Sequence, residues 1–204
     1  MNASAKAKDL HLPIHAPRLL IRPIHADDEP ENYQAMMEST IDLQRWMSWS
    51  HPLPSEQRLA EWVEKESADF ENRKPQGRFS AYLNNSQQLA VSLGVTVLRR
   101  DIRRFHVSYW VRTSLAGQGY ATEALIALSQ WLFDVWNANR IDSGCAKDNI
   151  GSRRVLEKAG YSFEGVQKNA THLPPDGITD ELIYAATDRQ QLSSFNSNIS
   201  VHHA

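Results

Sequence analysis

The sequence predicts a single α/β domain in which about four helices cover a mixed, largely antiparallel sheet. Helical and strand patterns alternate irregularly along the chain, and 204 residues with 41% hydrophobic content are enough for one core. No internal repeat is visible. We expect the domain to span residues 9–189, with flexible termini at residues 1–8 and 190–204.

Hydrophobic periodicity predicts the order of the elements. Alternating apolar residues indicate strands at residues 18–23, 78–83, 89–98, 105–111 and 140–145, and a final antiparallel pair at residues 161–166 and 181–186 around a loop at residues 169–177. Helical spacing and capping residues indicate helices from Ala26, over residues 55–73, from Ala121 and after Asn149.

A glycine-containing turn connects the strand at residues 105–111 to the helix that follows it. Gly117 and Gly119 remove side chains from this turn, and the first amides of the helix have no partner within it. Free amides and the positive end of the helix dipole suit a phosphate or diphosphate, and Thr122 adds a hydroxyl. Because no lysine follows Gly119, we set aside a nucleoside-triphosphate loop, and the distance from the strand to Gly117 disfavours the dinucleotide fingerprint.

Two blocks of the sequence resemble the GNAT acetyltransferases. Ala116-Gly117-Gln118-Gly119-Tyr120-Ala121 is similar to their motif A, and departs from it at Ala116, where the family usually has Gln or Arg. Residues 140–161 resemble the Asn-x-x-Ser…Leu-Glu-Lys-x-Gly-Phe block of the Rim-type ribosomal-protein N-terminal enzymes. The resemblance spans residues 18–186. It implies an acetyltransferase sandwich in which two central parallel strands, residues 105–111 and 140–145, splay apart around an acyl-coenzyme A.

The resemblance also implies site residues. Acetyl-coenzyme A, the cosubstrate, would be bound by Val111, Arg112, Gly117, Gln118, Gly119, Tyr120, Ala121, Thr122 and Asn149. Ser152 occupies the serine position of the family's Asn-x-x-Ser motif. It would hydrogen-bond the departing sulfur of coenzyme A or relay a proton to it. Trp46, Trp49 and His51 would form an acceptor wall, although ordinary packing also explains the two tryptophans.

The general base is not identified by any motif. His106, on the strand before the turn, is our candidate because histidine titrates near neutral pH, and His51 and His172 are alternatives. Cys145 is either a covalent acetyl carrier or a small buried hydrophobe. The histidines and the cysteine lack metal-ligand spacing, so we expect no metal.

The implied activity is acetyl-coenzyme A-dependent transfer of an acetyl group to a primary amine, directly within a ternary complex. A protein N-terminal α-amine, such as that of a ribosomal protein, is the favoured acceptor; an enzyme for small amines or antibiotics and a noncatalytic acyl-coenzyme A sensor stay open as alternatives. The formal charge of −2 predicts no nucleic-acid or membrane partner, and a homodimer is left open. One cysteine and the lack of an apolar signal or membrane span predict a cytoplasmic protein.

Overall fold

The computed structural model describes residues 12–71, 76–175 and 177–194. Eight strands form one sheet: β1 (Ile14–His15), β2 (Leu19–Pro23), β3 (Gly77–Leu83), β4 (Leu89–Arg99), β5 (Arg104–Val111), β6 (Arg140–Ala146), β7 (Ser162–Leu173) and β8 (Gly177–Ala186). The described residues contain five α-helices: α1 (Glu29–Glu38), α2 (Thr40–Trp46), α3 (Glu56–Glu71), α4 (Tyr120–Trp136) and α5 (Ile150–Ala159).

The sheet is mixed and mostly antiparallel, in the order β1-β2-β3-β4-β5-β6-β8-β7. β5 and β6 are parallel, and the other neighbouring strands are antiparallel. The predicted fold class and the predicted pair of central parallel strands are therefore confirmed.

The two central strands pair only near their N-terminal ends. Three residues of β5, Arg104 to His106, pair with Arg140 to Asp142 of β6. At the last of these pairs, Asp142 accepts hydrogen bonds from Arg104 at 2.6 Å and Arg140 at 2.8 Å, which ties the strands together. The next residue of β6, Ser143, donates its hydroxyl to the carbonyl of Val107 at 2.8 Å. A side chain thus replaces the main-chain ladder where the strands begin to separate.

Helices pack against both faces of the sheet because residues of a strand alternate between its faces. Phe105, Val107 and Tyr109 of β5 join the main core, to which α4 contributes the fully buried Leu125 and Leu128. On the opposite face, Trp110 packs against a second cluster formed by α1, α2 and α3. The separated ends of β5 and β6 therefore lie between the two helical layers.

The N-terminal helical region divides into two helices. The chain turns at Ser39, whose amide donates to the carbonyls of Ala35 and Met36 at 3.1 Å. The buried Ser39 hydroxyl accepts the amide of Thr113 at 3.1 Å, so this break fastens the helices to the segment after β5. Hydrophobic periodicity did not indicate the break at Ser39, because the break is stabilised by a contact with Thr113, which is 74 positions away in the sequence.

Two other boundaries differ from expectation. The predicted loop at residues 169–177 is wrong in part, since Thr171 to Leu173 pair with Gly177 to Thr179 and lengthen the last hairpin. The packed chain also continues beyond residue 189, because Leu192 is buried in the main core and the Ser193 amide donates to Ala159 at 3.1 Å. The predicted flexible residues 1–8, and 195–204 of the predicted tail, lie outside the described residues.

Candidate active site

A cleft of about 440 Å³ runs from the gap between β5 and β6 to the N-terminus of α4. Among the predicted site residues, those that line it are Trp46, Val111, Gly117, Gly119, Tyr120, Ala121, Thr122, Asn149 and Ser152. It is also lined by α5 residues for which the sequence suggested no site role, notably Arg154 and Lys158. The remaining predicted residues, Arg112, Gln118, His106, Trp49 and His51, do not line the cleft.

The N-terminus of α4 has no side-chain cap. Its N-cap, Gly119, has φ of 86°, and the first helical bond runs from the Glu123 amide to the Gly119 carbonyl at 3.0 Å. The amides of Tyr120, Ala121 and Thr122 precede that bond, and no side chain among the described residues caps them. Three donors at the positive end of a helix dipole therefore face the cleft, as an anion site requires.

Charges around this helix start favour an anion. Arg154 and Lys158, one turn apart on α5, line the same cleft, and neither has an ion-pair partner among the described residues. Glu123 lies in the first turn of α4, and the backbone amide and Nε of Arg18 both donate to its carboxylate at 2.7 Å. Asp42 also lines the cleft, where it is outnumbered by the two cations and accepts the Thr113 hydroxyl at 2.6 Å. Because Arg18 neutralises Glu123, that carboxylate does not cancel the attraction of the helix start for a diphosphate.

Left-handed backbone at Gly119 leads to a prediction. In Gly119→Ala, the added Cβ strains the turn by about 1–2 kcal/mol and displaces the amides, so we expect a lower Tm and a several-fold higher KM for the acyl donor. Gly177→Ala is the control for backbone strain, since Gly177 has φ of 90° and lies outside this cleft; because Gly177 lines a neighbouring cavity, the donor KM is measured at saturating acceptor. The control should lower Tm similarly and leave the donor KM unchanged; equal donor KM values in the two variants would contradict the prediction.

The backbone of β5 supplies a further donor. The Arg112 amide donates to the Ala90 carbonyl of β4 at 2.9 Å. Main-chain groups of an antiparallel strand point alternately toward and away from the partner, so the amide of Val111 points away from β4 and into the gap. It is a free donor for a carbonyl oxygen, whereas the Arg112 amide is occupied.

Ser152 lies beside two other groups in the cleft wall. Its hydroxyl is 3.0 Å from the Tyr109 hydroxyl, and either group can be the donor; the Ser152 carbonyl, 3.2 Å from the same tyrosine oxygen, is the alternative acceptor of the single Tyr109 hydrogen. Asn149 accepts the Ser152 amide at 3.0 Å and caps α5, which leaves its side-chain NH₂ as a donor.

Burial raises the pKa of Tyr109, and burial raises the pKa of the Cys145 thiol to about 11. Cys145 is therefore a neutral thiol near pH 7, which disfavours it as an acetyl carrier.

The side chains of Arg112 and Gln118, two of the predicted cosubstrate residues, are engaged within the protein. The Arg112 side chain is 3% exposed and donates to Glu38 at 2.6 Å and Glu31 at 2.8 Å. Its guanidinium is committed to α1, so this side chain is not free to bind a ligand. The Gln118 side chain turns back to donate to the Ser114 carbonyl at 3.2 Å.

Of the three residues predicted to form an acceptor wall, only Trp46 lines the cleft among the described residues. Trp46 lines the cleft, whereas Trp49 is 49% exposed outside it. Nε2 of His51 lies 2.6 Å from the Gln44 carbonyl, so this histidine holds the end of α2.

His106 is the last residue of β5 that pairs with β6, and it precedes Tyr109 by three residues. Burial lowers its pKa, Asp142 opposes this change, and Arg78 lowers the pKa further. A histidine with a lowered pKa is neutral and able to accept a proton at pH 7, but its ring does not reach the cleft lining.

Glu181 is a second candidate base that the sequence did not suggest, and like His106 it lies outside the cleft lining. It lies on β8 opposite Ala146, and a Cβ added at Gly144 would be 2.6 Å from its Oε1. The carboxylate therefore covers Gly144 on the face that carries Asp142, beside the gap. Burial raises the pKa of Glu181, against a hydrogen bond from Thr171 that lowers it. A carboxylate with a raised pKa is a better proton acceptor than an ordinary one. In the sequence, the glycine at position 144 was the one feature that could have indicated a large side chain packed over β6 at this point.

Comparison with known proteins agrees with this geometry. The family model of the acetyltransferase (GNAT) domain matches residues 18–162, more than half of the chain. The chain belongs to the GNAT acetyltransferase family. Its predicted class, an acetyl-coenzyme A-dependent N-acetyltransferase, is confirmed at the level of the family.

Individual relatives are distant. The probable N-acetyltransferase YjcK of Bacillus subtilis (strain 168) is 24% identical over 156 residues, which cover 74% of this chain and 83% of that protein. A structure of RimL, a ribosomal L7/L12 alpha-N-protein acetyltransferase in complex with coenzyme A, is 21% identical with a TM-score of 0.78, over 87% of this chain and 98% of that one. The microcin C7 self-immunity acetyltransferase MccE, in complex with acetyl-CoA and AMP, is 19% identical with a TM-score of 0.76, over 84% and 93%. At these identities the two structures establish the shared fold.

The described residues contain no helix that is both long and apolar enough to cross a membrane. They also contain no group of three or more His, Cys, Asp and Glu side chains arranged to hold a metal ion.

Proposed function

We propose that this GNAT enzyme acetylates the N-terminal α-amine of a protein, with a ribosomal protein as the favoured acceptor, by direct transfer from acetyl-coenzyme A in a ternary complex. The observation that carries the proposal is the open gap between β5 and β6, with free amides at Val111 and at the start of α4. The fold shared with RimL, a ribosomal L7/L12 alpha-N-protein acetyltransferase, and with the Salmonella typhimurium acetyl transferase that modifies the N-terminal serine of the same ribosomal protein, supports the acceptor class.

Recognition of the donor follows from the free amides and the unpaired cations. The amides of residues 120–122 and the side chains of Arg154 and Lys158 would hold the diphosphate. The Asn149 NH₂ would donate to the pantetheine arm, and the Val111 amide would polarise the thioester carbonyl. This last interaction strengthens as negative charge develops on the oxygen, which is what accelerates acyl transfer.

The choice of an α-amine follows from its pKa. A lysine with an ordinary pKa near 10.4 costs about 4.6 kcal/mol to deprotonate at pH 7, whereas an α-amine near 7.8 costs only about 1 kcal/mol. A carboxylate base such as Glu181, or neutral His106 acting through water, suffices for the second case. Cysteine chemistry is not required, because the thioester is already activated.

Ser152 is proposed to hydrogen-bond the departing sulfur. Tyr109 has a raised pKa and remains protonated, so its hydroxyl is a poor proton source for a thiolate and instead orients the Ser152 hydroxyl. Loss of a hydrogen bond to a charged group costs about 1.5–3 kcal/mol, so Ser152→Ala should lower kcat about 10- to 100-fold with little change in the donor KM.

Tyr109→Phe tests the pair. We expect a smaller loss of kcat, about threefold to tenfold, and no further loss when Tyr109→Phe is added to Ser152→Ala, because the tyrosine acts through the serine. Additive losses in the double variant, measured by steady-state kinetics, would contradict this role.

Coenzyme A release from acetyl-coenzyme A, measured with a panel of N-terminal peptides, polyamines and aminoglycosides, tests the function itself. Turnover with peptides carrying a free α-amine, and its loss when that amine is blocked, is the expected result. Turnover confined to polyamines or aminoglycosides would instead assign a small-amine enzyme. Binding of acetyl-coenzyme A without turnover on any acceptor would favour the noncatalytic sensor.

A further inference from the structure

A second cavity of about 410 Å³ adjoins the cleft on the other side of Trp46. It lies between the end of α2, the β6–α5 connection and the tip of the β7–β8 hairpin, with Trp46 and Thr179 in its lining. Thr179 is two residues before Glu181 on the same face of β8, so roughly 7 Å separates them along the strand. A ligand in this cavity therefore extends to the side of the gap where Glu181 lies.

Two cations dominate the lining of this cavity. Arg45, in the last turn of α2, places its guanidinium over the Trp46 ring at 4.8 Å from the centroid. No carboxylate among the described residues forms an ion pair with it. An exposed guanidinium held on an aromatic ring and lacking a carboxylate is prepared to bind one.

Lys147 supplies the second cation. Its ammonium is 3.8 Å from Asp180, but Lys168 binds the same carboxylate at 3.0 Å and the Asn169 amide donates to it at 3.1 Å. Asp180 is thus shared between two lysines, and Lys147 keeps part of its charge. Asp148 also lines the cavity and opposes the two cations, which leaves a net positive lining.

We propose that this cavity binds the residues next to the acceptor's α-amine and prefers an acidic side chain there. The inference rests on the proposed N-terminal acetylation and names its substrate class: peptides with Asp or Glu within the first positions after the amine. Arg45 is the specificity-determining residue, because it has no competing partner. Lys147 adds attraction that salt will screen.

The test compares kcat/KM for matched peptides that differ only at the second residue, Asp, Asn or Lys, at low and moderate salt. The wild-type enzyme should prefer the Asp peptide over the Lys peptide by about tenfold at low salt, and less as salt rises. Arg45→Glu should reverse the order. Arg100→Glu is the matched control, since Arg100 is exposed at the β4–β5 turn, at the other end of the sheet, and should keep the wild-type order.

Each outcome decides a separate point. Equal rates across the peptides, or an Arg45→Glu enzyme with the wild-type order, would overturn the acidic preference while leaving N-terminal acetylation intact. Failure to acetylate any peptide would overturn the proposed function, and this preference with it. If Arg45→Glu folds poorly, Lys147→Glu serves as the second variant and should lower the ratio of kcat/KM between the Asp and Lys peptides. An unchanged ratio in Lys147→Glu would also overturn the acidic preference.

Discussion

Replacing Arg112 by methionine should lower the free energy of unfolding by about 2–4 kcal/mol, less than for a fully buried ion pair, because the Glu31 and Glu38 side chains are 29% and 33% exposed. Arg112 is 3% exposed and binds two carboxylates, those of Glu31 and Glu38. The same carboxylates accept backbone amides from Leu89 at 2.8 Å and Ser114 at 3.0 Å. Methionine fills the space but leaves two negative charges without their cation.

Urea denaturation followed by circular dichroism measures this effect, and Arg99→Met is the matched control. Arg99 pairs with Asp101 at 2.6 Å, but their side chains are 61% and 59% exposed, so the control should lose far less stability than Arg112→Met. Equal losses in the two variants would show that the buried network does not hold α1 to the segment after β5.

Replacing Glu181 by glutamine should lower kcat/KM for the acceptor by about 10²- to 10³-fold, within the range of a lost general base. Burial raises the pKa of Glu181 above the ordinary value of 4.5, and the carboxylate accepts a proton only when it is ionised. Wild-type activity should therefore rise with pH through that raised pKa, and this acidic limb should disappear in Glu181→Gln. A second limb from the acceptor amine should persist in both enzymes.

His106→Gln separates the two candidate bases. If Glu181 is the base, His106→Gln keeps the acidic limb and most of the activity. If the acidic limb is lost in His106→Gln and kept in Glu181→Gln, the histidine is the base and the assignment to Glu181 is wrong. Thermal denaturation of both variants shows whether a decrease in activity results from unfolding of the protein.

Features that depend on residues close together in the sequence were predictable. Gly119 and the helical pattern after it are such local signals, so the uncapped start of α4 could be inferred from the sequence alone. The parallel pairing of β5 and β6 followed from the family resemblance. The separation of the two strands coincides with a contact that no local pattern marks, because the Ser143 hydroxyl donates to the Val107 carbonyl, 36 positions away, in place of a main-chain bond.

The remainder depends on contacts between distant residues. Arg112 binds Glu38 and Glu31, which are 74 and 81 positions away, so its neighbours in sequence suggested a ligand contact instead. Glu181 becomes a candidate base only when β8 pairs with β6 and places it over Gly144. The lengthened hairpin was missed because most β7 side chains are exposed, and an exposed strand carries no hydrophobic alternation.

The central claim is that free backbone amides at Val111 and at the start of α4 bind acetyl-coenzyme A between the two separated strands. Titration of the ¹⁵N-labelled protein with acetyl-coenzyme A, followed by amide resonances, measures it directly. We expect large shifts for Val111 and residues 120–122, with small shifts for the Arg112 amide, which already donates to the Ala90 carbonyl. Unchanged resonances at Val111 and residues 120–122 at saturating ligand, with shifts grouped elsewhere, would contradict it.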